Sequence, residues 1–392
     1  MATTQIQTAS LVSQMVEAIT ESSDRITRIG YGLGETGLVL FYSYLARYTG
    51  KSTYVKLAHR WFEHVVEAID PKKYQGMASI FYRELSELGM VILFLNRHNL
   101  LHIDADQMLI KLDRMLEGFM YRKIEEGDLC LMSGALAAGH YFMYRLDTLP
   151  EAEQYLKDLV TGIRKNAKQN EQGYFYWRWP LVKSEGIFLN TECGSAMVIS
   201  FLTALYQKGI YNHQSLLTIR SAVDYVMSHQ RNNPESLFPI LVGEAEQLRS
   251  LRCGDLSTCY GLLRGAQVLQ DRLLTKKVLH MLHLCCQRKS RQTALIPDAG
   301  LSYGAAGTAV VYDRLHQLTD DSRLGEAASH WYQKILSYQE YENEFLGFRA
   351  RFNQKHLATN VAFNEGIVGI AIALMQYEDR SLPSVAPLLG FI

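Results

Sequence analysis

The chain has 392 residues, 48% of them hydrophobic, which is enough for a large buried core. Its 40 basic and 40 acidic side chains balance, excluding the basic excess of a dedicated nucleic-acid binder. Eight prolines and six cysteines over this length form neither a linker nor a disulfide framework, so one domain over 1–392 in a reducing cytoplasm is expected.

The opening "MATTQIQTASLVSQMVEAITESSDRI" lacks the basic start and apolar core of a secretory signal. It reads as a short extension over about residues 1–22. No run approaches the roughly 18 apolar residues of a membrane span. From Gly34 onward a small-residue tetrad followed by an apolar helical run recurs. The copies are "GETGLVLFYSYL" from Gly34, "SELGMVILFL" from Ser86, "GALAAGHYFMYRL" from Gly134 and "GSAMVISFLTALY" from Gly194. "GDLSTCYGLLRGA" from Gly254, "GAAGTAVVYDRL" from Gly304 and "GIVGIAIALMQYE" from Gly366 complete the series. Between them lie amphipathic segments such as "YVKLAHRWFEHVVEAI", "ADQMLIKLDRMLEGFM", "HQSLLTIRSAVDYVMSH" and "LGEAASHWYQKILSY". Their apolar residues return every three or four positions.

The two kinds of helix predict an architecture. Runs that are apolar all round belong inside, and those with one wet face belong outside. Seven of each, alternating, predict an all-α fold, an α/α toroid with an inner and an outer ring. The glycines are expected at the inner helix starts, where chain ends converge and larger side chains would crowd their neighbours. The first and last repeats are as apolar as the middle ones, which disfavours a capped open solenoid.

Some stretches stand apart from this pattern. "QGYFYWRWPLVKSEGIFLN", residues 172–190, has strand-forming aromatics and a turn, and reads as a hairpin or loop on the rim. Its Trp177, Arg178 and Trp179 suit either a peptide-binding surface or rim packing. Arg288, Lys289 and Arg291 read as a solvated inter-helix segment. His280, His283, Cys285 and Cys286 fall on an outer helix, as surface histidines and packed cysteines. His140 lies on an inner helix and reads as a hydrogen-bonded core histidine, and Cys259 as a small apolar filler.

The repeats, with "DAGLSYGAAGTAVVYDRL" and the ending "NEGIVGIAIALMQYEDRSLPSVAPLL", resemble the lanthionine synthetase C family, the cyclases of lanthipeptide biosynthesis. The resemblance covers essentially the whole chain. It implies a toroid with a central zinc ion that binds the substrate cysteine as thiolate. That sulfur adds to dehydroalanine or dehydrobutyrine and closes a thioether ring; a metal removes the thiol proton that neutral water leaves in place. It further implies protein ligands before the fifth and sixth glycines: one cysteine, then a Cys-His pair. Here "LRCGDLS" supplies Cys253, with Arg252 where the family has tryptophan and one residue fewer before the glycine. "LSYG" puts Ser302 and Tyr303 where Cys and His belong. Neutral hydroxyls are poor zinc ligands, so no zinc is expected.

Other family positions have changed too. The family histidine before the fourth glycine is Cys193, and the family aspartate four residues before the third is Cys130, with Asp128 two residues earlier. Asp128, Cys193 and Tyr303 are therefore the candidate catalytic groups, and Cys253, Ser302, Tyr303 and Asp255 the candidate substrate-binding ones. The resemblance implies a protein that binds a lanthipeptide precursor without zinc, as scaffold or pseudo-cyclase, with a dehydratase as a possible partner. The alternative is a zinc-independent cyclase in which Tyr303, Cys253 or Asp128 handles the substrate thiol. Toroids also host sugar-cleaving enzymes, which need paired carboxylates; the glycine-led starts offer only Glu35, Asp255 and Glu365, in scattered repeats.

Overall fold

The computed structural model describes residues 2–182, 184–211, 214–245, 249–351 and 357–392. The described residues hold fifteen α-helices and four short strands. In order these are α1 (Ala2–Ser22), α2 (Thr36–Thr49), α3 (Ser52–Glu67), α4 (Ala78–Arg97), α5 (Asp106–Glu126), α6 (Ala135–Arg145) and α7 (Ala152–Lys165). After the strands come α8 (Ser195–Gln207), α9 (Ser215–Ser228), α10 (Asp255–Val268), α11 (Arg272–Gln287) and the one-turn α12 (Arg291–Ala294). The last three are α13 (Ala305–Thr319), α14 (Ser322–Lys334) and α15 (Ile367–Glu378).

Burial separates the two helix types as their patterns require. Every residue of α6 is buried, as is every residue of α10 from Asp255 to Ala266. The amphipathic α11 buries only Val278, Met281, Leu282 and Cys285, at steps of three and four. The glycine-led helices approach one another closely: a Cβ on Gly261 of α10 would lie 2.6 Å from the Ala196 carbonyl oxygen of α8.

The chain forms two compact units. The first comprises Met1–Leu112, Ile296–Gln317 and Gly325–Val385; the second comprises Asp113–Leu295, Leu318–Leu324 and Ala386–Ile392. In the first, α15 packs on both α2 and α1, so the last repeat adjoins the first. This corrects the reading of residues 1–22 as an extension. Ala2–Ser22 is a helix whose Val12, Met15 and Ile19 are buried, and it packs on α15. In the second unit, α8 and α10 pack together and α7, α9 and α11 cover them.

Two other expectations change, and between the two readings of Trp177 and Trp179 the structure selects packing. The second tetrad does not start a helix: Ser86 and Gly89 lie inside α4, and the Ser86 hydroxyl donates to the Tyr82 carbonyl one turn back. Residues 168–190 form two hairpins, starting just before the expected stretch, with β1 (Lys168–Gln169) pairing β2 (Phe175–Tyr176) and β3 (Trp179–Val182) pairing β4 (Ser184–Gly186); Lys183 lies outside the described residues. Trp177 and Trp179 are buried, the former donating its indole N–H to the Ile163 carbonyl at 2.9 Å. They are packing, not an exposed contact surface. Arg288 is buried as well, its guanidinium paired with Asp255 and donating to the Thr293 carbonyl, because a carboxylate inside the fold needs a cation.

Candidate functional site

All six leading glycines close a three-residue turn before their helix: Gly34, Gly134, Gly194, Gly254, Gly304 and Gly366. In four of these the next residue's N–H reaches a carbonyl seven positions back. The pairs are Glu35 to Arg28 (2.8 Å), Ala135 to Asp128 (2.9 Å), Ser195 to Phe188 (3.0 Å) and Ala305 to Asp298 (2.9 Å). The chain thus crosses its own approach. A Cβ on Gly134 would stand 2.4 Å from the Asp128 carbonyl oxygen, and one on Gly194 2.6 Å from the Asn190 nitrogen. Crowding at the leading glycines is therefore local to each turn, not the meeting of chain ends that the sequence suggested. Neighbouring turns impose glycine at another register position, Gly300, whose Cβ would meet the Glu365 backbone at 2.8 Å.

In the first unit three turns are stitched edge to edge. Ser302 N–H donates to the Asn364 carbonyl (2.7 Å), and Asn364 N–H to the Gly32 carbonyl (2.9 Å). Ser302 and Tyr303 sit half-buried on this seam. Asp298 braces the sixth turn, its carboxylate accepting from Gly300 and Arg351 N–H, each at 2.9 Å. Where α4 has no turn of its own, it supports the first: Glu84 accepts from Ile29 N–H (3.2 Å) and Glu87 from Gly32 N–H (3.2 Å).

In the second unit the third, fourth and fifth turns carry the remaining candidates. Asp128 stands six residues before its glycine, as Asp298 does. Its carboxylate accepts from Cys130 N–H (3.1 Å) and the Ser133 hydroxyl (3.3 Å), and pairs with Lys123 at 3.2 Å. These bonds make it a turn brace. Asp255 is similarly engaged, by Leu237 N–H (3.1 Å), Phe238 N–H (2.9 Å) and Arg288 (2.8 Å). His140 bonds the Leu136 carbonyl at 2.8 Å, and burial lowers its pKa to about 4. His283 pairs with Asp321 at 2.7 Å, and His280 is exposed on α11.

The fourth and fifth turns abut. Asn190 donates to the Cys253 carbonyl (3.0 Å), and Ser257, which takes the Thr191 N–H at 3.3 Å, also donates to that carbonyl (3.3 Å). At this junction Glu192 hydrogen-bonds the Cys253 thiol and lies 3.6 Å from the buried Arg252 guanidinium. Burial, then the Glu192 charge, pushes the Cys253 thiol well above the ordinary range. Cys193 is raised by burial, Glu192 and Cys130 together. The Glu192 carboxyl is itself raised by desolvation, which Arg252 opposes. Glu192 was not among the residues the sequence singled out; it stands two places before its glycine, the register that Arg252 and Ser302 share.

A family model for lanthionine synthetase C-like proteins matches residues 27–388. The chain belongs to that family. Among solved structures it is similar to nisin cyclase, with a TM-score of 0.74 at 16% identity, covering 100% of this chain and 98% of that one. The likeness shows the fold class, an all-α, α/α toroid. A cellobiose 2-epimerase from Bacillus thermoamylovorans matches at a TM-score of 0.43 and 12% identity, over 88% of this chain and 87% of that one. No curated protein matches.

The family's zinc centre does not fit the residues present. The fifth and sixth turns have equal length, Leu251 to Cys253 and Leu301 to Tyr303. Cys253 therefore occupies the register of Tyr303, and Arg252 that of Ser302. Relative to the sixth turn nothing is missing before Gly254; the thiol has moved one place and a guanidinium has taken its position. Of the family's three protein donors these two turns keep one thiol; the Arg252 guanidinium has only donors to offer, and the neutral hydroxyls of Ser302 and Tyr303 are poor zinc ligands. Among the described residues no three His, Cys, Asp or Glu side chains are grouped to hold a metal. None of the described helices is long and apolar enough to cross a membrane.

Proposed function

We propose that this lanthionine synthetase C-like chain binds a lanthipeptide precursor peptide without a zinc centre, as a scaffold or pseudo-cyclase. The observation that carries the reading is the replaced donor set on the glycine turns: Arg252 and Ser302 in one register, Cys253 and Tyr303 in the next. Zinc activation of a substrate thiol lacks two of the family's three protein ligands here, while the glycine turns of the fold persist. Tyr303, half-buried beside Ser302, offers a peptide an apolar ring and one polar handle. Asp128 and Asp255 contribute by bracing the turns. The reading includes a dehydratase as partner, and the reducing cytoplasm as setting, where six free thiols stay reduced.

A second reading, thioether formation without metal, is favoured by Glu192. A carboxyl raised by desolvation is a stronger base than an ordinary one. Glu192 would take the proton of a substrate thiol as sulfur bonds the β-carbon of a dehydroalanine, then return that proton to the α-carbon. Incubation with a dehydrated, cysteine-containing peptide, followed by counting of free thiols, separates the readings. Binding with every substrate thiol retained supports the first; loss of one thiol per ring formed supports the second. Absence of both binding and thiol loss overturns the two together.

A further inference from the structure

We propose that Arg252, with Thr191 of the abutting turn, receives a carboxylate of the peptide ligand; this rests on the peptide-binding reading above. Arg252 is 2% exposed, yet its Nε and Nη1 have no hydrogen-bond partner. A buried guanidinium with donors unmade is costly unless something completes it. The fold supplies only part of what is needed. Phe391 lies under the guanidinium, its ring centroid 4.6 Å away, a stacking contact that leaves the N–H edge unanswered. Glu192 approaches Nη1 at 3.6 Å, close enough for charge attraction but too far for a hydrogen bond.

A third orphan lies on the abutting turn. The Thr191 hydroxyl is buried without a partner, and its backbone N–H is tied through Ser257 to the carbonyl of Cys253, the residue after Arg252. All three orphaned atoms are able to donate. The matching ligand is therefore rich in acceptors, and an ionised carboxylate is acceptor-only, planar and fitted to a guanidinium edge. A lysine or a second guanidinium brings only donors and like charge. Glu192, with 32% of its side chain exposed, connects the buried cation to solvent and marks the way in. A peptide offers the carboxylate from two sources, its C-terminus or an acidic side chain.

The test uses full-length protein and a fluorescein-labelled, alanine-rich decapeptide in three forms: free C-terminal carboxylate, C-terminal amide, and amide with one internal aspartate. Fluorescence polarisation gives the three affinities. At least one carboxylate form should bind about tenfold or more tightly than the plain amide, as a charge-assisted pair implies. Which form gains identifies the source. Arg252→Met keeps the bulk over Phe391 and should erase the preference, whereas Arg252→Lys should keep only part of it, lacking the planar edge. Equal binding of the three forms overturns this proposal and leaves peptide binding standing; no binding of any form overturns both. A preference that survives in folded Arg252→Met protein, or is undiminished in Arg252→Lys, also overturns it.

Discussion

His140 shows how burial turns a titratable residue into a stability term. Its pKa is lowered to about 4 from 6.5, by desolvation first, with the bond to Leu136 opposing. The unfolded chain therefore takes up the proton before the folded one does. The contribution is fully present above about pH 6.5 and is lost as pH falls toward 4. Between pH 7 and pH 4.5 the loss amounts to about 2–3 kcal/mol. Urea melts of His140→Leu at these two pH values should show a smaller acid loss than wild type by that amount; identical losses would refute it. At the same scale, sequence reasoning found Cys253, Ser302 and Tyr303 because they interrupt a repeated pattern. It overlooked Glu192, because the fourth turn gave no family residue to compare at that register. It gave Asp128 and Asp255 chemical roles because a carboxylate's bonds to backbone N–H groups leave no trace in residue type.

Among elements, the glycine-led helices were legible because eight or more consecutive buried positions need a largely apolar run. The second tetrad was misplaced because "SELG" carries the same small residues without the preceding turn. What decides the matter is the backbone crossing, and composition does not encode that. The amphipathic helices were legible through their period, but their anchoring polar contacts were not. Arg145 on α6 donates to Asp113 on α5 through Nε (3.0 Å) and Nη2 (2.6 Å), and Tyr141 donates to the same carboxylate. All three side chains are buried. Removing the acceptor leaves a buried cation unpaired, so Asp113→Ala should cost about 3–5 kcal/mol. Chemical denaturation measures this directly, and a change under about 1 kcal/mol would show the pair to be an exposed-type bridge.

For the whole molecule, three of the five boundaries between the two units fall inside helices, α5, α13 and α14, and the other two fall between elements, at 295/296 and 385/386. A helix that runs through a boundary couples the stretches on either side of it, since melting part of it exposes the rest. The chain is thus expected to unfold as one domain, with helix content and tryptophan fluorescence lost in one transition; two separated transitions would assign the units independent stability. The toroid class was readable from the alternation of two helix types, and the family from the turns and the C-terminal repeat. The site chemistry was readable only as a set of losses. What replaced the lost groups, a buried Arg252 and Glu192 beside a buried thiol, required the fourth and fifth turns to be seen side by side.

The central claim is peptide binding that does not depend on zinc. Calorimetric titration of a dehydrated lanthipeptide precursor into chelator-treated protein, repeated with zinc restored, tests it most directly. The account predicts saturable binding with the same affinity in both titrations and no zinc retained after desalting. Binding that appears only with zinc, accompanied by one tightly held ion per chain, would contradict it.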